Sequence, residues 1–297
     1  MRIFIGILLC ALSVTGYVDT VSGQIRKPAL EQSTLWKIEK PNYKTSYLLG
    51  TMHVSDPRVT NFPAEINSVI NSADELIVEV SMDASAKEQV MRTMMLQPND
   101  SLANYLEPEK LSQVLAYFNN QPMLKQQVLR MKPWAVMVFL SLPKEFQGLP
   151  MDTLIQKKFL NAGKPVGQLE SVIEQLGVFD QLAVKDQVSM LNETIQYLPK
   201  MDSLMARMYE LYLQGDLDGL LALSNEYLQT ADNKILHDLM FELIDIRNAR
   251  MAERVASYLD KGNVLISIGA LHLPGESGLI SLLEQSGYRL TPIPLTR

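Results

Sequence analysis

SYLLGTMH at residues 46–53 and LISIGALH at residues 265–272 are two versions of one pattern, set at opposite ends of the chain. Each has an apolar run of strand character, then Gly, a small or hydroxyl residue, a large apolar residue and His. The chain holds 3 histidines, and two of them, His53 and His272, close these stretches. Gly50 and Gly269 mark strand exits, where a turn or a close backbone approach suits a residue without Cβ. Each imidazole is then expected just beyond the carboxyl end of a strand, the edge at which open α/β sheets bind ligands. A lone histidine there usually caps or hydrogen-bonds. Two in one recurring setting point to a shared site, since imidazole is both a metal ligand and the commonest acid/base group near neutral pH.

The flanking sequence supplies the sheet for such a site. STLWKIEK, PN and YKTSYLLG read as two strands about a turn. FPAEINSVINSADE, residues 62–75, reads as a helix with Ile66, Val69, Ile70 and Ala73 on one face, and LIVEV, 76–80, as a strand. Strand, helix, strand suggests a parallel pair. From about 84 to 260 the pattern is mostly helical. MDTLIQKKFLNAG, 151–163, ends on Gly163 as a C-cap, KPVGQLE contains a short strand, and 237–262 is the longest helical run. VLISIGALH returns to strand, GESGLISLLEQSG is a closing helix, and YRLTPI is a last strand. The expected fold is α/β, a mixed or mostly parallel sheet from the N- and C-terminal parts with a central helical lobe. We expect one integrated domain over residues 24–297.

Two histidines need a carboxylate to complete a metal or catalytic set. Glu79 offers one: it sits among apolar neighbours in LIVEV, where a carboxylate needs a cation, a donor or solvent. Glu75, at the helix–strand junction, is the rival and reads as exposed. Thr51 either orients a ligand or satisfies the turn beside Gly50. Asp56 and Arg58, close after His53, either support the site from behind or form a solvated face. The backbone of GESG, 275–278, either holds an anion near His272 or caps the last helix. His237 reads as a surface residue.

The chain has 297 residues, 47% of them apolar and 20% charged, with a formal net charge of −6. That is enough apolar sequence for a large core, and the acidic balance argues against a dedicated nucleic-acid partner. Arg2 followed by the apolar run 3–14 reads as an export signal with VSG, 21–23, as cleavage site. Residues 1–23 are therefore expected to be a signal peptide, and the mature protein periplasmic or secreted from a bacterium, without a membrane span. A lipidated or uncleaved anchor is the alternative. The 1 cysteine, Cys10, falls in that segment, leaving the mature chain without disulfide, thiol nucleophile or thiolate ligand.

The paired GTMH and GALH elements, the strand glutamate and GALHLPGESGLISLLEQSGYRL closely resemble the TraB/PrgY/GumN family, which is related to the Tiki metalloproteases. The resemblance runs from about Trp36 to Ile293. It implies a sheet with a helical lobe, a site between the two, and metal-dependent peptide hydrolysis involving His53, His272 and Glu79. Manganese or cobalt follows from the resemblance, and zinc is chemically compatible. Asp152, Glu170, Arg247 and Asn248 fall on signature positions of the family, although Pro150 stands where a glycine is common and Gln168 interrupts the Gly-Leu-Glu element. Read by their own chemistry, Arg247 either pairs with Glu170 or Asp152 or holds a substrate carboxylate. Glu170 is either a second site carboxylate or a helix N-terminal residue. The leading expectation is a metal-dependent hydrolase of the cell envelope, acting on peptides. The alternatives are a non-catalytic module that binds a peptide or saccharide, and an envelope interaction protein.

Overall fold

The computed structural model describes residues 31–81, 83–118, 122–142, 148–230 and 234–296. The expected signal segment and Cys10 lie outside the described residues. The chain enters the sheet as a hairpin, β1 (Leu35–Glu39) and β2 (Ser46–Thr51), paired antiparallel. Its turn includes Asn42 at φ 69, a left-handed conformation that asparagine tolerates better than most residues. The helix Ala64–Ser72 then buries Ile66, Val69 and Ile70, the face its 3.6-residue period dictates. It leads into β3 (Glu75–Val78). The remaining strands are β4 (Val166–Gln168), β5 (Val264–Gly269) and β6 (Arg289–Pro292).

The strands form one sheet in the order β4-β3-β5-β2-β1-β6. From β4 to β2 the pairs are parallel, and β2-β1 and β1-β6 are antiparallel. The sheet is therefore mixed, as the sequence predicts. β5 is buried at every residue, the signature of a central parallel strand covered on both faces. Its place between β3 and β2 matters most for the site. It sets the two glycine–histidine strands side by side, with Gly50 opposite Ile268 and Thr51 opposite Gly269. The two motifs are thus one residue out of step, and their carboxyl ends share a rim with the end of β3.

Among the described residues, the segment expected as a helical lobe consists of helices joined by loops apart from β4, which extends the sheet beyond β3. In the helix Pro133–Leu140 every residue but Phe139 is buried, and Trp134 stacks on Phe179 with ring centroids 5.6 Å apart. Burying one such large apolar side chain is worth about 1.5–3 kcal/mol, so this lobe carries its own stabilisation. The helix Met151–Asn161 ends as expected, with Gly163 at φ 69. Two expectations change. LIVEV pairs only as far as Val78, so Glu79 stands one residue past the strand. The expected single helix over 237–262 is three pieces: Lys234–Met240, a π-helical turn Phe241–Ile246, and Arg247–Leu259. A π turn holds one residue more than the α ladder and is frequent at functional sites. No helix among the described residues is long and apolar enough to cross a membrane.

Candidate functional site

Three side chains meet around a glycine. A Cβ on Gly269 would lie 3.2 Å from Glu79 Oε1, 3.6 Å from His53 Nε2 and 3.6 Å from His272 Cδ2. Gly269, at the end of β5, is thus the position where absence of a side chain lets β2, β3 and the turn after β5 converge. His53 follows the end of β2, Glu79 that of β3, and His272 closes a short 3-10 turn, Ala270–His272. His53 Nε2 lies 4.0 Å from Glu79 Oε1.

Glu79 is held on every side. Its Oε1 accepts the Gly269 N–H at 2.7 Å, and its Oε2 accepts Arg247 Nη2 at 2.7 Å and Gln175 Nε2 at 3.0 Å. Burial opposes its charge, but the neighbouring cations and the Gly269 N–H outweigh that and hold its carboxyl down at about 2. His272 contributes to this shift only when protonated. Because His272 itself stays neutral (below), Arg247, the charged His53 and the Gly269 N–H carry the effect near neutral pH.

The two imidazoles have different backing. His272 Nδ1 lies 2.7 Å from Asn248 Oδ1, while Asn248 Nδ2 donates to the Ser277 carbonyl at 2.9 Å. The carbonyl fixes which end of the amide is NH₂, so Oδ1 must accept and His272 must carry its proton on Nδ1. Nε2 then presents a lone pair, and Arg247 Nη1 faces it at 3.4 Å. Burial and the Arg247 charge push the His272 pKa down to about 3. His53 Nδ1 instead faces the Asp152 carboxylate, with Oδ1 at 2.9 Å. Burial works against its charge, but Asp152 and Glu79 overcome it and raise its pKa to about 9.

Arg247 and Glu170 close the inner end. Arg247 Nε and Nη2 donate to Glu170 Oε2 at 2.9 and 2.7 Å, and Nη1 donates to the Leu243 carbonyl, in the π turn, at 3.2 Å. Burial drives the Glu170 carboxyl upward against the pull of Arg247. The Arg247 side chain is 1% exposed and that of Glu170 0%, whereas His53 and Asp152 are 16% and 26% exposed. The site is a pit that opens at His53 and Asp152 and is sealed at Arg247. Of the roles open to Arg247, pairing with Glu170 is the one seen. Asp152 is engaged by His53 instead, and the buried guanidinium fork is occupied by Glu79 and Glu170 rather than facing outward to a substrate. Glu170 lies with Glu79 on the Arg247 guanidinium; the helix after it, Val172–Asp180, is capped by Ser171 in a capping box with Glu174.

The other expected residues divide. Thr51 is buried at the end of β2, beside the site, and its hydroxyl has no hydrogen-bond partner among the described residues. Asp56 and Arg58 are not drawn in. Asp56 caps the turn Pro57–Thr60 through Arg58 N and pairs with the Arg58 side chain at 2.8 Å. Arg58 stacks on Tyr209, 4.7 Å from the ring centroid, and lines a separate groove of about 750 Å³ with Glu210 and Thr296. In GESG, Glu276 is exposed, and Ser277 is tied to Asn248 and to Asp245 Oδ1, so this loop supports His272 through Asn248.

Gln175 is a site residue that the sequence reading missed. Its helix buries Val172, Gln175, Leu176 and Phe179. A glutamine in the i, i+3, i+4, i+7 stripe that faces the core was the available signal.

The donor set suits a divalent ion in kind: two imidazoles whose Nδ1 atoms are each engaged from behind, plus one carboxylate, around a residue without Cβ. Among the described residues, however, no group of three His, Cys, Asp or Glu side chains stands ready to hold a metal ion, and Arg247 occupies the space between Glu79 and His272.

Comparison with known proteins places the chain. It is 25% identical to a metalloprotease TIKI homolog of Amphimedon queenslandica, over 97% of this chain and 67% of that protein. It is 24% identical to the metalloprotease TIKI2 of Danio rerio, again over 97% and 67%. To the uncharacterized protein YbaP of Shigella flexneri it is 24% identical, over 83% of this chain and 90% of that one. No solved structure matches. The sequence model of the TraB/PrgY/gumN family matches residues 34–292, which take in both glycine–histidine strands and all the side chains of the pit: the chain belongs to the TraB/PrgY/gumN family.

Proposed function

We propose that the pit is the active site of a metal-dependent hydrolase acting on peptide bonds, in an exported protein. The observation that carries this reading is the convergence of His53, Glu79 and His272 on Gly269, with His272 fixed by Asn248 in the tautomer that directs its Nε2 lone pair inward. The similarity to proteins named metalloproteases supports it. His53, His272 and Glu79 would hold the ion, which would supply Lewis-acid polarisation of a carbonyl and acidify water. Manganese, cobalt and zinc all suit this nitrogen–oxygen set.

The protein's own part is positional and electrostatic. Glu79 stays anionic, with Oε2 engaged twice, by Arg247 and Gln175, so Oε1, which accepts only the Gly269 N–H, is the oxygen it would offer as ligand or base. Asp152 orients His53 at the open side, where a peptide carbonyl would arrive. Glu170 holds Arg247 in place, and the seal at that end keeps bulk water out, which strengthens the charges inside.

The test is metal content and turnover of a peptide mixture by the purified protein, beside a His53→Ala/His272→Ala double variant. Loss of both metal and cleavage in the variant is expected; retention of both would overturn the proposal. A second reading, capture of a peptide or saccharide without turnover, draws on the ion pairs of the site carboxylates with Arg247 and His53, which would leave charged and polar groups in place to hold a ligand. Saturable ligand binding with neither bound metal nor product would favour it.

A further inference from the structure

Arg247 is a strange neighbour for a metal. Its guanidinium cannot lose its proton, and at 1% exposure its charge is little screened by water. It cannot swing aside cheaply, because Glu170 holds Nε and Nη2 and the Leu243 carbonyl holds Nη1. Its Nη1 also faces His272 Nε2 at 3.4 Å. That nitrogen has one lone pair in the tautomer Asn248 imposes, so it serves either the guanidinium or an ion.

We propose that Arg247 is a resident cation that competes with a divalent metal for this ligand set and so holds the metal affinity down. The inference rests on the metal-dependent reading above. Its logic is one of compensation. Glu79 and Glu170 are both buried and both carboxylates. Without a positive charge between them, the metal-free chain would bury two neighbouring carboxylates with little besides His53, 4.0 Å from Glu79, to offset them, a state that proteins avoid. Arg247 lets the site form before an ion arrives. An ion would take the His272 Nε2 lone pair that now faces Arg247 Nη1, while Glu79 Oε2 and Glu170 would keep their bonds to Arg247. The consequence is an exchangeable metal instead of a permanently held one.

The experiment is calorimetric titration of the full chain with Mn²⁺ at pH 8, comparing the natural protein with Arg247→Met and Arg247→Gln. The glutamine variant keeps a hydrogen-bond donor without the charge and decides the question if the methionine variant does not fold. The expected result is a Kd for Mn²⁺ at least tenfold lower in the neutral variants, lost again when His53→Ala and His272→Ala are added. A gain of less than tenfold, or tight binding that survives loss of the histidines, overturns the competition while leaving the metal-dependent reading intact if the natural protein binds Mn²⁺ at those histidines. Absence of Mn²⁺ binding in all the proteins overturns both. Binding confined to the neutral variants supports the competition.

Discussion

The two glycine–histidine elements begin alike in sequence and end in opposite states. His53 has a carboxylate, Asp152, behind it and sits at the open side of the pit, 16% exposed. His272 has a neutral amide, Asn248, behind it and a guanidinium in front, and is 3% exposed. The first imidazole is raised to about 9 and is charged at neutral pH; the second is lowered to about 3 and is neutral. A repeated motif therefore sets where an imidazole lies, while the partner on the other ring nitrogen sets what it can do. One ring would have to release its Nε2 proton before it could hold an ion. The other is suited to present a fixed lone pair in a dry interior.

The comparison can be broken from the inside outward. Arg247→Met removes the charge in front of His272 and leaves Glu79 and Glu170 with little besides His53 to offset them, so the metal-free protein should lose about 3–5 kcal/mol of stability, read by chemical denaturation. Asn248→Leu strips His272 Nδ1–H and the Ser277 carbonyl of their partner in a buried place. A loss of about 2–3 kcal/mol is expected, with ring-nitrogen NMR showing His272 no longer confined to one tautomer. Unchanged stability and tautomer would refute the assignment made from the amide.

Asp152→Asn should make the two histidines alike. Burial and Arg247 then act on His53 without their strongest opponent, and its pKa should fall well below about 9. The sign follows from linkage. In the natural protein His53 is raised from an ordinary 6.5, so its contribution is full below pH 6.5 and is lost as pH rises through about 9. His272 is lowered from 6.5, so its contribution is full above pH 6.5 and is lost as pH falls towards about 3. Stability attributable to the pair should peak near pH 6.5. Asp152→Asn should flatten the alkaline limb, costing about 1–2 kcal/mol at neutral pH, and leave the acid limb in place. Persistence of the alkaline limb in this variant would mean another group titrates there. The smallest effect is outside the pit: Asp56→Ala should cost about 1 kcal/mol through the lost helix cap, with no change in metal affinity or turnover. A changed turnover would bring Asp56 and Arg58 back into the site.

Much of this was readable before any coordinates. The periodicity of 62–75, the run 76–80 and the two glycine exits define a sheet with ligand-facing ends, because side-chain period and backbone punctuation are local properties. A shared rim for the two histidines followed from the repeated motif, although the pairing of β2 with β5 and its one-residue offset did not, since register depends on pairing between distant strands. The choice among partners for Arg247 was also beyond reach. Glu170, Asp152 and Glu79 are chemically equivalent on paper, and only the packing of the Val172–Asp180 and Arg247–Leu259 helices against the sheet rim selects Glu79 and Glu170. The π turn before Arg247 leaves no periodic trace, because its extra residue only rotates the pattern. Gln175 did leave one, as a polar residue in a buried stripe.

The measurement that bears most directly on the account is a crystal structure of the protein soaked in Mn²⁺, read by anomalous scattering. The account predicts one strong peak bounded by His53 Nε2, His272 Nε2 and Glu79 Oε1, with the Asn248–His272 contact kept and Arg247 still on Glu170. A peak elsewhere, or no peak with the two rings turned away from Glu79, would contradict it.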